Sequence, residues 1–284
     1  MGITKEMVNK MNHKDFNRFF GVDRATFYLM RIAVESEYKK KHKNRGRNSK
    51  LSIFDMVVIF LLYLRQYNPM ADYAVYYKVS KSVICECIHF VLRVLIKSKT
   101  FTLFGKKAIR QDSSENRLLD VTEIRIERPK YNQKEKYSGK KKYHTMKIQI
   151  IKGVDTGFIY EIQIGPGSEH DFHLFKRTFK GSPKNVTYTV DLGYIGINGI
   201  HKNSKVPNKK SKNHKLTEEE KEYNKELAKN RIFIEHTNGW IKRFKILSTR
   251  FRNNLKYFTK FAVLLCGFYN CYIAWFNFRT TLLT

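Results

Sequence analysis

Cysteine is scarce in this 284-residue chain, and acidic residues are outnumbered more than two to one by basic ones. The four cysteines are Cys85, Cys87, Cys266 and Cys271, each inside an apolar stretch. Their C-x-C and C-x4-C spacings do not match a zinc knuckle, so reduced core thiols are the expectation. The start, Met1-Gly-Ile-Thr-Lys5, lacks the apolar run of a secretory signal, which points to an intracellular protein. No internal repeat is found. The shortage of acid is the most informative lack: 55 Lys plus Arg face 25 Asp plus Glu, a formal charge of +30. Such an excess repels itself in a compact fold unless the molecule works against a polyanion, and nucleic acid is the leading one. An anionic membrane surface is the weaker alternative.

What is present is 42% hydrophobic residues with 14% aromatics, enough to fold around a core. Three runs carry the charge. Residues 39–50 form the first. Residues 128–147 hold Arg128, Lys130, Lys134, Lys136, Lys140, Lys141, Lys142 and Lys147 against Glu135 alone, with Tyr131, Tyr137 and Tyr143 interleaved. Residues 202–215, including Lys209 and Lys210, carry six lysines and no acid. A charge run is ordinarily a solvated face. Lysines mixed with aromatics suit phosphate contact plus stacking, so Lys140, Lys141, Lys142, Lys147, Lys209 and Lys210 are candidate DNA contacts.

Residues 51–96 read as helical. After Asn68-Pro69, ADYAVYYKV and VICECIHFVLRVLIK flank a Ser80-Lys-Ser82 break, the pattern of a helix-turn-helix at about 71–96. Ser80 or Ser82 would cap the second helix, and Ser82 and Arg93 are its candidate DNA contacts. Two core helices without groove contact are the plainer alternative. From about residue 118 the texture becomes β-rich: LLDVTEI, the alternating HTMKIQIIKG, FIYEIQIG and VTYTVDLGY read as strands. Ser168 and Asp171, three apart, read as the capped start of a helix, and His170 and His173 as a cap and an exposed ring rather than a metal pair. Thr217-Glu-Glu-Glu220 is a capping box, opening a helix expected to run to about Leu247. On it Phe233, Trp240, Phe244 and Leu247 form an apolar stripe, and Arg231, Glu235, Asn238 and Lys242 a polar one. The apolar stretch 261–278 is expected as a buried helix on the sheet rather than a membrane span. His144 receives no role.

Asp120 lies within a predicted strand among apolar residues, where an unpaired carboxylate is costly. Asp191 ends another strand, and Glu235 stands on the polar stripe of a long helix. Taken singly, a turn residue and a salt-bridged surface acid are the ordinary readings of the last two. Together they can converge at one edge of a central sheet as an all-oxygen site. Such a site selects Mg²⁺ or Mn²⁺ over zinc. Two such ions about 3.5–4 Å apart can serve both oxygens of a phosphodiester displacement.

The motifs Asp120-Val-Thr-Glu123, YSGKKKYHTMKIQ (137–149), GPGSEHDFHLFK (165–176), Val190-Asp191-Leu-Gly-Tyr194 and Arg231-x3-Glu235-x6-Lys242 resemble those of bacterial insertion-sequence transposases of the DDE type. The chain is similar to the group called the IS-five family, near its ISL-two branch. The resemblance implies an α/β, RNase H-like catalytic core at 111–284, a mixed central sheet flanked by helices. An all-α DNA-binding region would occupy 1–110. It makes Asp120, Asp191 and Glu235 the catalytic metal ligands, and Arg231 and Lys242 catalytic helpers that position DNA. One position departs: Ala228 stands where the family often has Tyr. The implied activity is metal-dependent strand cleavage and strand transfer at terminal inverted repeats. DNA ends and target DNA would be the partners, in at least a homodimer, without membrane or small-molecule cofactor, in a bacterial-like cytoplasm on the nucleoid. A catalytically inactive, repressor-like DNA binder of the same origin is the alternative. A tyrosine recombinase finds no ordered Arg, His and Tyr set.

Overall fold

The structure, a computed structural model, describes the backbone of residues 3–42, 49–210 and 215–283, with side chains as far as 278. Lys43, Arg45 and Arg47 of the first cationic run, and Lys212 and His214 of the third, lie outside the described residues. The chain divides into two compact units. The first comprises Met1–Thr102, Lys242–Thr249 and Asn253–Thr284, and the second Leu103–Ile241 with Arg250–Arg252.

The first unit is helical: α1 (Lys5–Lys10), α2 (His13–Phe20), α3 (Arg24–Lys41), α4 (Ile53–Gln66), α5 (Met70–Tyr77) and α6 (Lys81–Lys97). Side chains that accept from the first turn fix the starts of five of them: Thr4, Asn12, Asp23, Ser52 and Ser80. Gly21 ends α2 at φ 79°, and a Cβ there would sit 2.7 Å from the Phe244 ring, so glycine is required twice over. α4 is buried on every side from Val57 to Leu64 and forms the centre of this unit. α5 and α6 are joined by a tight turn through Lys78, in the left-handed region at φ 51°, and Ser80 caps α6 as the sequence predicts.

The second unit begins with α7 (Gly105–Gln111) and β1 (Arg117–Arg125). Then follow α8 (Gln133–Lys136), β2 (Tyr137–Ser138), β3 (Tyr143–Gly153), β4 (Ile159–Pro166), α9 (Asp171–Thr178), β5 (Tyr188–Thr189), β6 (Ser204–Lys205) and α10 (Glu218–Lys242). The main sheet runs β4-β3-β1-β5-β6, with β2 beside the start of β3. β4, β3 and β1 are antiparallel, while β5 and β6 run parallel to β1. This mixed sheet flanked by helices is an RNase H-like α/β core. Alternation along the strands gives the sheet two faces. Leu119 and Val121 of β1 and Ile151 of β3 pack with Phe175, Tyr188, Val190 and Tyr194 in one apolar cluster. Leu118, Asp120 and Thr122, with their β3 partners Lys152, Ile150 and Ile148, point the other way, toward α10. There Lys152 Nζ donates to the Phe233 carbonyl (3.0 Å) and to Thr237 Oγ1 (2.8 Å).

Two expectations are corrected. α10 opens on the predicted reciprocal box, Thr217 with Glu220, but ends at Lys242. Its buried side is Leu227, Ile234, Thr237 and Ile241; Phe233 is 55% exposed and Trp240 only half-buried, because the sheet claims the neighbouring stripe. The C-terminal apolar stretch is helical as expected, α11 (Phe258–Leu283), but it joins the helical unit rather than the sheet. Gly267 brings α11 against the Phe101 backbone, where a Cβ would lie 2.2 Å from the carbonyl oxygen. Residues 255–278 are long and apolar enough to cross a bilayer, and half of that stretch is buried within the structure.

Candidate active site

The register of the sheet brings two acids together. β1 and β5 pair in parallel as Arg117 with Tyr188 and Leu118 with Thr189. Carried two residues further, the same register sets Asp120 level with Asp191, and residues level on parallel strands share a face. Asp191 lies just past β5 in extended backbone, and its Oδ1 accepts from Gly193 N at 2.8 Å. A side chain at 193 would crowd both Asp191 and Asp171, at 2.9 and 3.3 Å. Burial, and next the negative charge of Asp191, push the Asp120 carboxyl up to about 6.

α10 covers this pair. Asn238 Nδ2 donates to Asp120 Oδ2 at 2.8 Å, and the positive charge of Arg231 acts on Asp120 in the opposite sense to Asp191. Glu235 lies one turn before Asn238 on the same side of the helix. Its side chain is 59% exposed, with Arg231 Nη2 at 3.9 Å from Oε1. Among the described residues no three His, Cys, Asp or Glu side chains are grouped closely enough to hold a metal ion. Asp120 and Asp191 are therefore assembled, while Glu235 stands at the rim with its carboxylate toward solvent.

On the opposite face lies a second polar set, which sequence reasoning read differently. Lys147 is a candidate DNA contact by sequence, yet only 7% of it is exposed. Its ammonium donates to Asp171 Oδ1 and to the Glu169 carbonyl, both at 2.7 Å, and lies 3.9 Å from Glu123 Oε1. It is thus withdrawn from solvent, because α9 brings an acid against an inward strand position. His170 occupies the cap position of α9 without a side-chain cap bond, and Asp171 bonds Lys147 in place of the predicted Ser168–Asp171 capping box. Asp171 also adds its negative charge to the environment of Asp120.

Lys140, Lys141 and Lys142 are exposed in the turn between β2 and β3, whose shape Ser138 holds by accepting from Lys141 N (3.1 Å) and Lys142 N (2.8 Å). Lys209 and Lys210 are exposed on the loop before α10. Ser82 is the exposed second residue of α6; Arg93, also exposed, lies on a later turn and donates to the His89 carbonyl. Lys242 is the last residue of α10, two turns beyond Glu235, and groups with the helical unit. His173 meets Glu169 at 2.9 Å, and all four cysteines are free thiols. His144 lies edge-on to Tyr137.

The donor set suits a hard divalent cation. Two carboxylates share one face, and the other amide atom of Asn238, Oδ1, is buried without a hydrogen-bond partner in the structure. Carboxylate and amide oxygens are what Mg²⁺ and Mn²⁺ prefer. Asp120, Asp191 and the rim acid Glu235 would hold the ion.

Residues 119–270 match the profile of the DDE superfamily endonuclease family, a span that opens one residue before Asp120 and includes Asp191 and Glu235. The chain belongs to the DDE superfamily endonucleases. Residues 49–100 match the helix-turn-helix of DDE superfamily endonuclease, so α4 joins α5 and α6 in that region. The chain is also 39% identical, over 95% of its length and 98% of the relative's, to a probable transposase for insertion sequence element IS702 of Microchaete diplosiphon. No solved structure matches. As a DDE endonuclease the chain is an enzyme of a superfamily that uses divalent metal ions, and its helix-turn-helix implies DNA binding.

Proposed function

We propose that this DDE endonuclease is the transposase of an insertion sequence, cutting at the element's terminal inverted repeats and joining the freed ends to target DNA. The observation that carries the reading is the Asp120–Asp191 pair, level on neighbouring strands under the helix that bears Glu235. Divalent ions held by these three acids, Mg²⁺ or Mn²⁺ and two in number, would supply activation of the attacking oxygen and stabilisation of the leaving one. Arg231, beside Glu235 and felt by Asp120, offsets part of the negative charge as a phosphate approaches. Lys242, further along α10, is assigned to the DNA strand leaving the site. In the first step a water oxygen bonds to phosphorus and the bond to the 3′ oxygen breaks, leaving a 3′-hydroxyl. In the second that hydroxyl attacks a target phosphate in line, its proton passing to solvent. The target's own bond from phosphorus to its 3′ oxygen breaks, that oxygen leaves as a 3′-hydroxyl by taking a proton from solvent, and no protein–DNA bond forms.

DNA is gripped outside the site by the described cations. Lys142 is eight residues along β3 from Ile150, the partner of Asp120. At ~3.3 Å per residue the basic turn stands about 26 Å from the acids, roughly eight base pairs of duplex. Ser82, Arg93, Lys209 and Lys210 are assigned to further contacts, and the regions 1–110 and 111–284 to DNA binding and catalysis. Two element ends processed together call for at least a homodimer. The working place is the bacterial cytoplasm, on the nucleoid.

A labelled duplex carrying the element's own end, with Mg²⁺ and with EDTA, is the test. The wild type should nick at the repeat boundary only with metal. Asp120→Asn, Asp191→Asn and Glu235→Gln should each lose about a thousandfold, the several kcal/mol a bound ion contributes. Variants that cut as well as the parent would overturn the three acids as the catalytic set, and a wild type that binds the end but never nicks it would leave a repressor-like DNA binder.

A further inference from the structure

The helix side chain that touches the acid pair is Asn238, and Glu235 stands one turn away with most of its surface in solvent. An ionised carboxylate only accepts hydrogen bonds, so the amide must turn its nitrogen toward Asp120. Its oxygen is thereby turned away, and it is buried with no hydrogen-bond partner in the structure. A buried oxygen left unpaired is costly, and such atoms mark places where a missing partner belongs. We infer that Asn238 is a further oxygen ligand of the metal centre, offering Oδ1 while its Nδ2 holds Asp120 in place. The inference rests on the proposed reading of Asp120 and Asp191 as metal ligands.

Chemistry favours a neutral ligand at this position. Asp120 and Asp191 already oppose one another before any ion binds. A third buried carboxylate would add repulsion; an amide oxygen adds a hard donor without charge. The rigidity is suitable as well. Lys152 ties the sheet to α10 at Phe233 and Thr237, on either side of Glu235 and just before Asn238. The height of Asn238 over the sheet is thus set by its own bond to Asp120 and by the Lys152 bonds to Phe233 and Thr237 in the turn before it.

The test is Mn²⁺ affinity of the full chain without DNA, read by electron paramagnetic resonance, with melting temperature followed in parallel. Asn238→Ala should bind Mn²⁺ about tenfold or more weakly. Asn238→Asp keeps an oxygen at the same place and should bind at least as tightly as the wild type, with a larger rise in Tm on adding Mn²⁺. Asn238→Leu serves should the alanine variant fail to fold. Wild-type affinity in the alanine or leucine variant, or equal weakening of these and of Asn238→Asp, overturns the assignment of Oδ1 as a ligand. Asp120→Asn is the control: its binding Mn²⁺ like the wild type would displace the whole centre, and with it the proposed function, independently of Asn238.

Discussion

The two faces of the central sheet handle buried charge in opposite ways. On the α9 face an inward lysine meets its acids: Lys147 bonds Asp171, and Glu123 accepts from Thr145 Oγ1 at 2.9 Å as well as standing near Lys147. On the α10 face acid is set against acid, and Asp120 is eased by a backbone hydrogen bond from Val121, the Asn238 amide and the charge of Arg231. The same strands, a few residues apart, support both arrangements. A matched set is what structure alone requires. A mismatched one is kept where an absent positive charge completes it, and perturbed carboxylates in this sense mark functional sites.

The comparison breaks most visibly if Lys147 is removed. Lys147→Met should destabilise the fold by about 4 kcal/mol, the cost of breaking a buried pair, as measured by urea unfolding. A loss under about 1 kcal/mol would mean the α9-face charges are not structural. The opposite sign is expected across the sheet. The folded-state pKa of Asp120, about 6, lies above its ordinary 3.8, so its ionisation in the fold costs stability as pH rises through that window. In EDTA, Asp120→Asn should therefore stabilise the fold by about 3 kcal/mol at pH 8, from roughly two pKa units at 1.36 kcal/mol each. The gain should vanish by about pH 3, below the ordinary carboxyl value, where the wild-type acid is protonated in both states. A variant less stable than the parent at pH 8 would remove the contrast between the faces.

Local signals were readable in the sequence because the groups that satisfy them are neighbours. Ser80, the Thr217–Glu220 box and the strand pattern of β3 each depend on residues a few positions apart, and each element appears where expected, although β3 is buried on both faces from Lys147 onward. Whatever depended on a distant partner was harder. Lys147 looked outward because nothing near it in sequence announces Asp171, which itself resembled a cap beside Ser168. Asn238 was visible on the polar stripe of α10, but its contact with Asp120 spans 118 positions. α11 was recognisable as a buried helix, and an apolar stripe does not say what buries it. Phe233 and Trp240 misled for the same reason: helical spacing finds two candidate faces, and the sheet decides between them. The acids Asp120, Asp191 and Glu235 were legible as a set through a family pattern, whereas their unequal burial follows from strand register and helix phase.

Iron substituted for the native ion tests most directly whether these acids share one divalent centre. Fe²⁺ with ascorbate and peroxide cuts polypeptide only close to the bound metal. The predicted result is backbone scission near Asp120, near Asp191 and around Glu235–Asn238, all three suppressed together by excess Mg²⁺. Scission confined to other segments, or indifferent to Mg²⁺, would contradict a metal centre beneath α10.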